Sequence, residues 1–426
     1  MKTFDEQYSF YVPGFFWVEL NTAKELHDIF DSEFERTLFH EYLHFLQDIT
    51  TTYGYANSSH VMNLIKSVYH NVKIYEQLRL HDINIPFDFS PDKFRHINNK
   101  LFCSYLQYYN DKDYIFDDFI IDKITPECIN IEGYNVHVFN VMFNDSKKIR
   151  FGAHAIFESI SYVLENDRYG KLDGRTYLPY DLPEKIAIFY SPIFHHKRNL
   201  IDLCEYSLMF YNSAEVFMDI LTGLQKDNFN PSSTKEFYDY MKTQVSLRTE
   251  TLESFFENEK NELISQLNGV FVSELYDGFK KWIISTIDNG FDLKTRKKLM
   301  FSSLLSCDPT YFLKNSIMEI GMPPIFNQDG KMFIRNSLFD INSWSYLTRA
   351  ISSVFETIVY GKTSCSLKEA CLFSNEMREE QMNVNQYCDL EPWKKKDEDN
   401  LCPYCAVWKT FGLQKMNCVV ETKHSI

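Results

Sequence analysis

The sequence predicts an α+β fold dominated by helix, and three observations predict it. Apolar residues recur at helical spacing over most of the chain, two short stretches alternate as strands do, and turn formers are scarce, with Gly 14 and Pro 13 in 426 residues. Phe 37, Tyr 27 and a 44% hydrophobic content allow a large core, in one lobed unit or two to three domains.

The first strand candidate is Phe10–Leu20, broken by Pro13-Gly14. Ser32 followed by Glu35 reads as a capping box, so a helix is expected to start near Glu33 and run to about residue 50. At about 100° per residue, Arg36, His40, Glu41, His44, Gln47 and Asp48 fall on one stripe, while Leu38, Phe39, Tyr42, Leu43, Phe45, Leu46 and Ile49 cover the rest. So wide an apolar arc predicts a helix embedded in its domain, with the polar stripe facing a cleft. Helices and loops follow over 56–127, with Val61, Leu64, Ile65 and Val68 at helical spacing. Ile129–Phe143 reads as a β-hairpin bending near Gly133, and 169–183 as a long loop. From Asn199 onward the pattern is mostly helical, interrupted at 228–233 and at Met322-Pro323-Pro324. There is no internal repeat.

His40-Glu41-Tyr42-Leu43-His44 carries the chemistry. Residues at i and i+4 share a helix face, so both imidazoles can hold one zinc ion, and Glu41 can take a proton from a water on that ion. A third protein ligand is required. The stretch 153–166 supplies a second amphipathic helix that places His154, Glu158, Ser161, Tyr162 and Glu165 on one side, with Ile156, Phe157 and Ile160 opposite. A carboxylate on such a half-buried helix completes a His2Glu site, and His154 competes with Glu158 for that role.

HEYLHFLQ, a strand-bearing insert and then a helix with Glu-Ser-x-Ser together resemble the gluzincin type of zinc metallopeptidase. That resemblance implies a zincin-like catalytic region with a small sheet, His40, His44 and Glu158 as zinc ligands, and Glu41 as general base. The reaction it implies is peptide-bond hydrolysis by a zinc-activated water. Two departures shape the expectations. Tyr162 stands where many gluzincins carry an Asp that orients a zinc-bound His, so Asp48 or Ser161 is expected to serve, and Glu165 is expected to play no part in binding metal. Only 39 residues precede His40, so the sheet is expected to borrow strands from 129–143, where an extended substrate would pair. Oxyanion-stabilising or cleft candidates are His154 and Tyr162, then Tyr211, His195 and His196.

Three regions are expected: a catalytic region at 1–195, a helical region walling the cleft at 196–360, and a cysteine-containing module at 361–426. In the last, Cys402-Pro403-Tyr404-Cys405 is a CPxC knuckle, and with Cys371 and Cys388, chosen over Cys365, it would hold a second, structural zinc. A redox CxxC is the rival, but such a pair normally opens a helix after a buried strand, and here it follows the charged run 394–400. Buried, inert thiols are the third reading.

Net charge −15 and pI ≈ 5.3 argue against a nucleic-acid partner. No stretch reaches the roughly 20 apolar residues that span a bilayer. Met1–Leu20 lacks a signal segment, so ten cysteines are expected to be reduced or metal-bound in the cytoplasm. The partner expected is a peptide or protein substrate. Two rivals stand: a non-catalytic interaction protein on a zincin-like scaffold, and a di-iron carboxylate protein. The latter would need a second ExxH, and only Glu421–His424 offers one.

Overall fold

Pro13-Gly14 turns the chain back on itself, and Gly14 takes the left-handed conformation (φ 77°) that such a turn needs. Strands β1 (Phe10–Val12) and β2 (Trp17–Leu20) therefore pair antiparallel, as the sequence indicates, with Tyr11 opposite Val18. A computed structural model describes residues 9–420 apart from 24–28, 30–32, 79, 81, 88–92, 107–114, 117–118, 145–146, 172–175, 246, 248–249, 328–331, 334–344, 378–381 and 399–401. The Ser32 cap and the Glu421–His424 motif lie outside the described residues.

Helix α1 (Glu33–Thr50) carries the HExxH stretch and α2 (Thr52–Gln77) follows after a break at Thr51, whose hydroxyl accepts from the Gly54 N–H at 3.0 Å. Both faces of α1 are buried. Leu38, Tyr42, Leu43, Phe45, Leu46 and Ile49 are fully enclosed, and so are Gln47, Asp48 and Thr50 from the polar side. The hairpin β3 (Ile121–Ile131) and β4 (Tyr134–Phe143) bends at Glu132-Gly133, both at positive φ, which matches the twist of the two arms. Its first arm begins at Ile121, earlier than alternation alone suggests, and β5 (Lys147–Phe151) adds a third antiparallel strand.

Helix α3 (Ala153–Tyr169) follows at once and packs on α1. The long helical stretch after residue 196 includes α4 (Ser213–Asp227) and α5 (Asp277–Arg296), and α5 also lies on α1. Strand β6 (Ile325–Asn327) comes directly after Pro323-Pro324 and runs parallel to β2, Val18 opposite Ile325, with β7 (Met332–Phe333) on its far side. The sheet resting on α1 is therefore β1-β2-β6-β7. That corrects the expectation that strands from 129–143 complete it: the hairpin belongs to a separate three-stranded sheet.

Helix α6 (Ser345–Tyr360) ties the first sheet to the C-terminal part. Trp17 Nε1 donates to Ser352 Oγ at 3.1 Å, and the Tyr404 hydroxyl to Thr357 Oγ1 at 3.1 Å. One contiguous hydrophobic core runs from Tyr11 to Met416 through all three expected regions. No helix among the described residues is long and apolar enough to cross a membrane.

Candidate metal centre

The i, i+4 spacing on α1 brings the two imidazoles edge to face, with His40 Nε2 and His44 Nε2 3.0 Å apart. Helix α3 delivers Glu158 opposite them: its Oε2 lies 3.2 Å from His44 Nε2 and 3.6 Å from His40 Nε2. Among the described residues this is the group whose three potential ligand atoms fall within 4.8 Å of one another. Ligands about 2.1 Å from a tetrahedral zinc stand about 3.4 Å apart. The three observed separations straddle that value, so the donors fit a zinc ion with one position left over.

Both rings are turned by what holds their other nitrogen. His40 Nδ1 lies 2.7 Å from Glu165 Oε2, and Arg36 grips the same carboxylate and donates to Asn166 Oδ1 at 3.1 Å. Gln47 Nε2 donates to the Phe157 carbonyl at 2.8 Å, which aims Gln47 Oε1 at His44 Nδ1, 2.9 Å away. Ser161 Oγ stands 3.3 Å from the same nitrogen, and the His44 ring stacks on Phe157 at 4.6 Å. Each Nδ1 thus donates its proton outward and each Nε2 faces Glu158.

The electrostatics follow from crowding. Burial opposes charge on His40, but Glu158, Glu165 and the Glu41 charge together push its pKa up to about 10. Burial pushes the Glu158 carboxyl up; the His44 charge and hydrogen bonds from both imidazoles outweigh it and hold the group well below the ordinary range. Glu165 is likewise held down, against burial, by His40 and Arg36.

Glu41 is buried at the foot of β1, where the Tyr11 N–H donates to its Oε2 at 2.7 Å. The Tyr11 hydroxyl donates to Asp48 Oδ2 at 2.9 Å, and burial raises Asp48 to about 7.

The structure thus brings His40, His44 and Glu158 together, with Glu41 next to His40 on the same helix and its carboxylate held by the Tyr11 N–H. His154 lies one turn from Glu158, its Nδ1 3.9 Å from Glu158 Oε1, and Tyr162 packs on Tyr180 at 5.1 Å. Of the two residues expected to orient a ligand His, Ser161 approaches His44 while Asp48 is engaged by Tyr11 instead. Glu165, expected to be a bystander, is the direct partner of His40. Tyr180, whose ring centroid is 6.3 Å from that of His40, follows Leu178-Pro179 in the loop, and nothing in the sequence singles it out. Arg36 and Gln47 were legible as members of the polar stripe, though not their partners. Tyr211 packs against Phe255 and is tied to Glu259, while His195 and His196 are exposed at the surface turn after residue 191. Of the four cysteines expected to hold a structural zinc, Cys371, Cys388 and Cys405 are buried and Cys402 is half-buried, and none belongs to that group.

Comparison with protein-family models, with curated proteins and with solved structures gives no match.

Proposed function

We propose that this chain is a zinc-dependent peptidase that hydrolyses peptide bonds, with His40, His44 and Glu158 as the metal-binding residues and Glu41 as general base. The reading rests on one observation: three donor atoms 3.0 to 3.6 Å apart, turned inward by Glu165 and Gln47, one residue from a buried carboxylate. Bound zinc supplies Lewis acidity for the scissile carbonyl and lowers the pKa of a water toward neutrality. The chain does the rest. Glu41, fixed by the Tyr11 N–H, accepts the proton of the attacking water and delivers it to the leaving amine. Glu158 neutralises charge on the ion, and Glu165 and Gln47 hold the two imidazoles in one tautomer. His154 flanks Glu158 at the site's edge and is a candidate donor to a developing oxyanion.

The test is a zinc assay with a peptide-library digest on wild type and Glu41→Gln. The variant keeps its zinc and loses about two to four orders of magnitude in hydrolysis, the usual worth of a general base. Equal rates in the two proteins would overturn the assignment of Glu41. Zinc-loaded wild type that cleaves no peptide in the library would favour a non-catalytic scaffold.

A further inference from the structure

Five thiols gather at the C-terminal end of the fold, away from the metal centre. Cys365 precedes helix α7 (Lys368–Met377), Cys371 lies within it, Cys388 sits in the short helix Tyr387–Leu390, and Cys402 and Cys405 open helix α8 (Pro403–Thr410). The Cys365 N–H donates to the Cys388 carbonyl at 2.7 Å, which ties the two loops together. Lys395 lies among them, only 3% exposed, with Nζ 3.6 Å from Cys388 Sγ. Cys402 is the N-cap residue of α8 and Pro403 takes the first helical position. The CxxC pair therefore does open a helix, although a single-turn helix (Pro392–Lys395) and a turn, not a buried strand, precede it among the described residues.

The two thiols of the pair differ in environment. Cys402 is half-buried at the head of α8, where its side chain makes no capping hydrogen bond. Cys405 is fully buried, and its thiol donates to the Pro392 carbonyl oxygen at 3.5 Å. We propose that Cys402 and Cys405 are a redox-active dithiol that exchanges with low-molecular-weight disulfides of the glutathione type, Cys402 attacking and Cys405 resolving. Residues three apart in the first turn of a helix have Cα atoms about 5 Å apart, inside the range a disulfide spans. A zinc thiolate centre would hold its sulfurs about 3.8 Å apart, and among the described residues the group of donors within 4.8 Å of one another is His40, His44 and Glu158, not these thiols.

Proton distribution supports the division of labour. The Cys405 S–H lowers the Cys402 pKa to about 6 against burial, helped by the Cys405 N–H and the Lys395 charge. Cys405 is raised by giving its hydrogen bond to Cys402 and by burial, and burial pushes Cys371 up to about 12. Cys402 is thus the thiol poised to attack, while Cys405 and Cys371 are enclosed and held protonated.

The exchange balances in two steps. The Cys402 thiolate attacks one sulfur of the external disulfide; that S–S bond breaks, and one half departs as a thiolate that takes up a proton. A mixed disulfide remains on Cys402. Cys405 then gives up its proton and attacks the Cys402 sulfur, and the second half leaves as a thiol. Two protein thiols are oxidised to one disulfide while one external disulfide is reduced to two thiols.

Full-length protein equilibrated with reduced and oxidised glutathione at graded ratios, alkylated and mapped by mass spectrometry, tests this. In wild type a Cys402–Cys405 disulfide builds up as the oxidised form rises, and reverses when the ratio is restored. In Cys405→Ser a stable glutathione adduct accumulates on Cys402. At pH 7, iodoacetamide labels Cys402 at least tenfold faster than Cys371, and Lys395→Met moves the Cys402 labelling midpoint to higher pH. Absence of the 402–405 disulfide at every ratio in folded protein overturns the proposal. So does one zinc per chain that survives His40→Ala/His44→Ala and shields Cys402 from labelling. Neither result bears on hydrolysis at the metal centre, which is read separately with Glu41→Gln.

Discussion

Arg36, Glu165 and His40 form a line in which each charge is set by the next. Arg36 fixes the carboxylate, the carboxylate fixes Nδ1 at 2.7 Å, and Nε2 is left facing His44 and Glu158. Removing a partner that orients a metal-bound His weakens metal binding about 10- to 100-fold, so Glu165→Gln should lower zinc affinity by that factor. Glu158→Ala, which deletes a donor outright, should cost more. Competition titration against a chelator ranks the two, and an unchanged affinity in Glu165→Gln would remove Glu165 from the site. The pH dependence follows from the same line. His40 is held up to about 10, so at neutral pH the ion must displace its proton. A proton bound in the metal-free state and released on binding means that affinity rises with pH, about tenfold per unit between pH 6 and 8. Calorimetry in buffers of different ionisation enthalpy should count about one proton released from this group per zinc, and a flat affinity over that interval would contradict it.

At the scale of elements, the motif helix is held by close backbone approach at its C-terminal turn. A Cβ on Gly290 of α5 would stand 2.4 Å from the Ile49 carbonyl oxygen, and one on Gly54 of α2 would stand 2.4 Å from the Asp48 Cα. Both neighbours are backbone and cannot swing aside. Gly290→Ala should therefore push α1 and α5 apart and cost about 1–3 kcal/mol, a fall of a few degrees in melting temperature. A thermal melt checks it, and an unchanged midpoint would show that α5 does not press on α1 this closely. Elements of this kind were the most legible in the sequence. The stripe of α1 and the second amphipathic helix at 153–166 follow from a period of 3.6 residues that packing then used, the helix itself running on to Tyr169. Glu158 stood out because an amphipathic helix after the strand region carries it in Glu-Ser-x-Ser, whereas Glu165, two turns further along the same face, looked like any exposed Glu. The difference is that a ligand's partner comes from another helix, and Arg36 and Glu165 are 129 residues apart.

For the whole molecule, what escaped the sequence is connection at long range. Ile325–Asn327 is a strand of three residues, too short for alternation to reveal, and it is recognisable only by the strand it joins. The hairpin at 121–143 has a turn that fixes its own register, so it could be read locally, but its assignment to the sheet on α1 could not. Likewise the three expected regions differ in composition along the chain, yet a single hydrophobic core joins them.

The parallel pairing of Val18–Leu20 with Ile325–Asn327 has a consequence for the order of events in synthesis. The sheet that presents the Tyr11 N–H to Glu41 takes its third strand from sequence translated some three hundred residues after its first two. While the ribosome is still adding the helices between them, a nascent chain already carries both histidines and the glutamate, but only a two-stranded ribbon beneath them. Isolated two-stranded ribbons are marginal in water. The strand that tethers Glu41 is thus incompletely supported until translation passes residue 327, and α6, whose Ser352 accepts from Trp17 of the same sheet, is made later still.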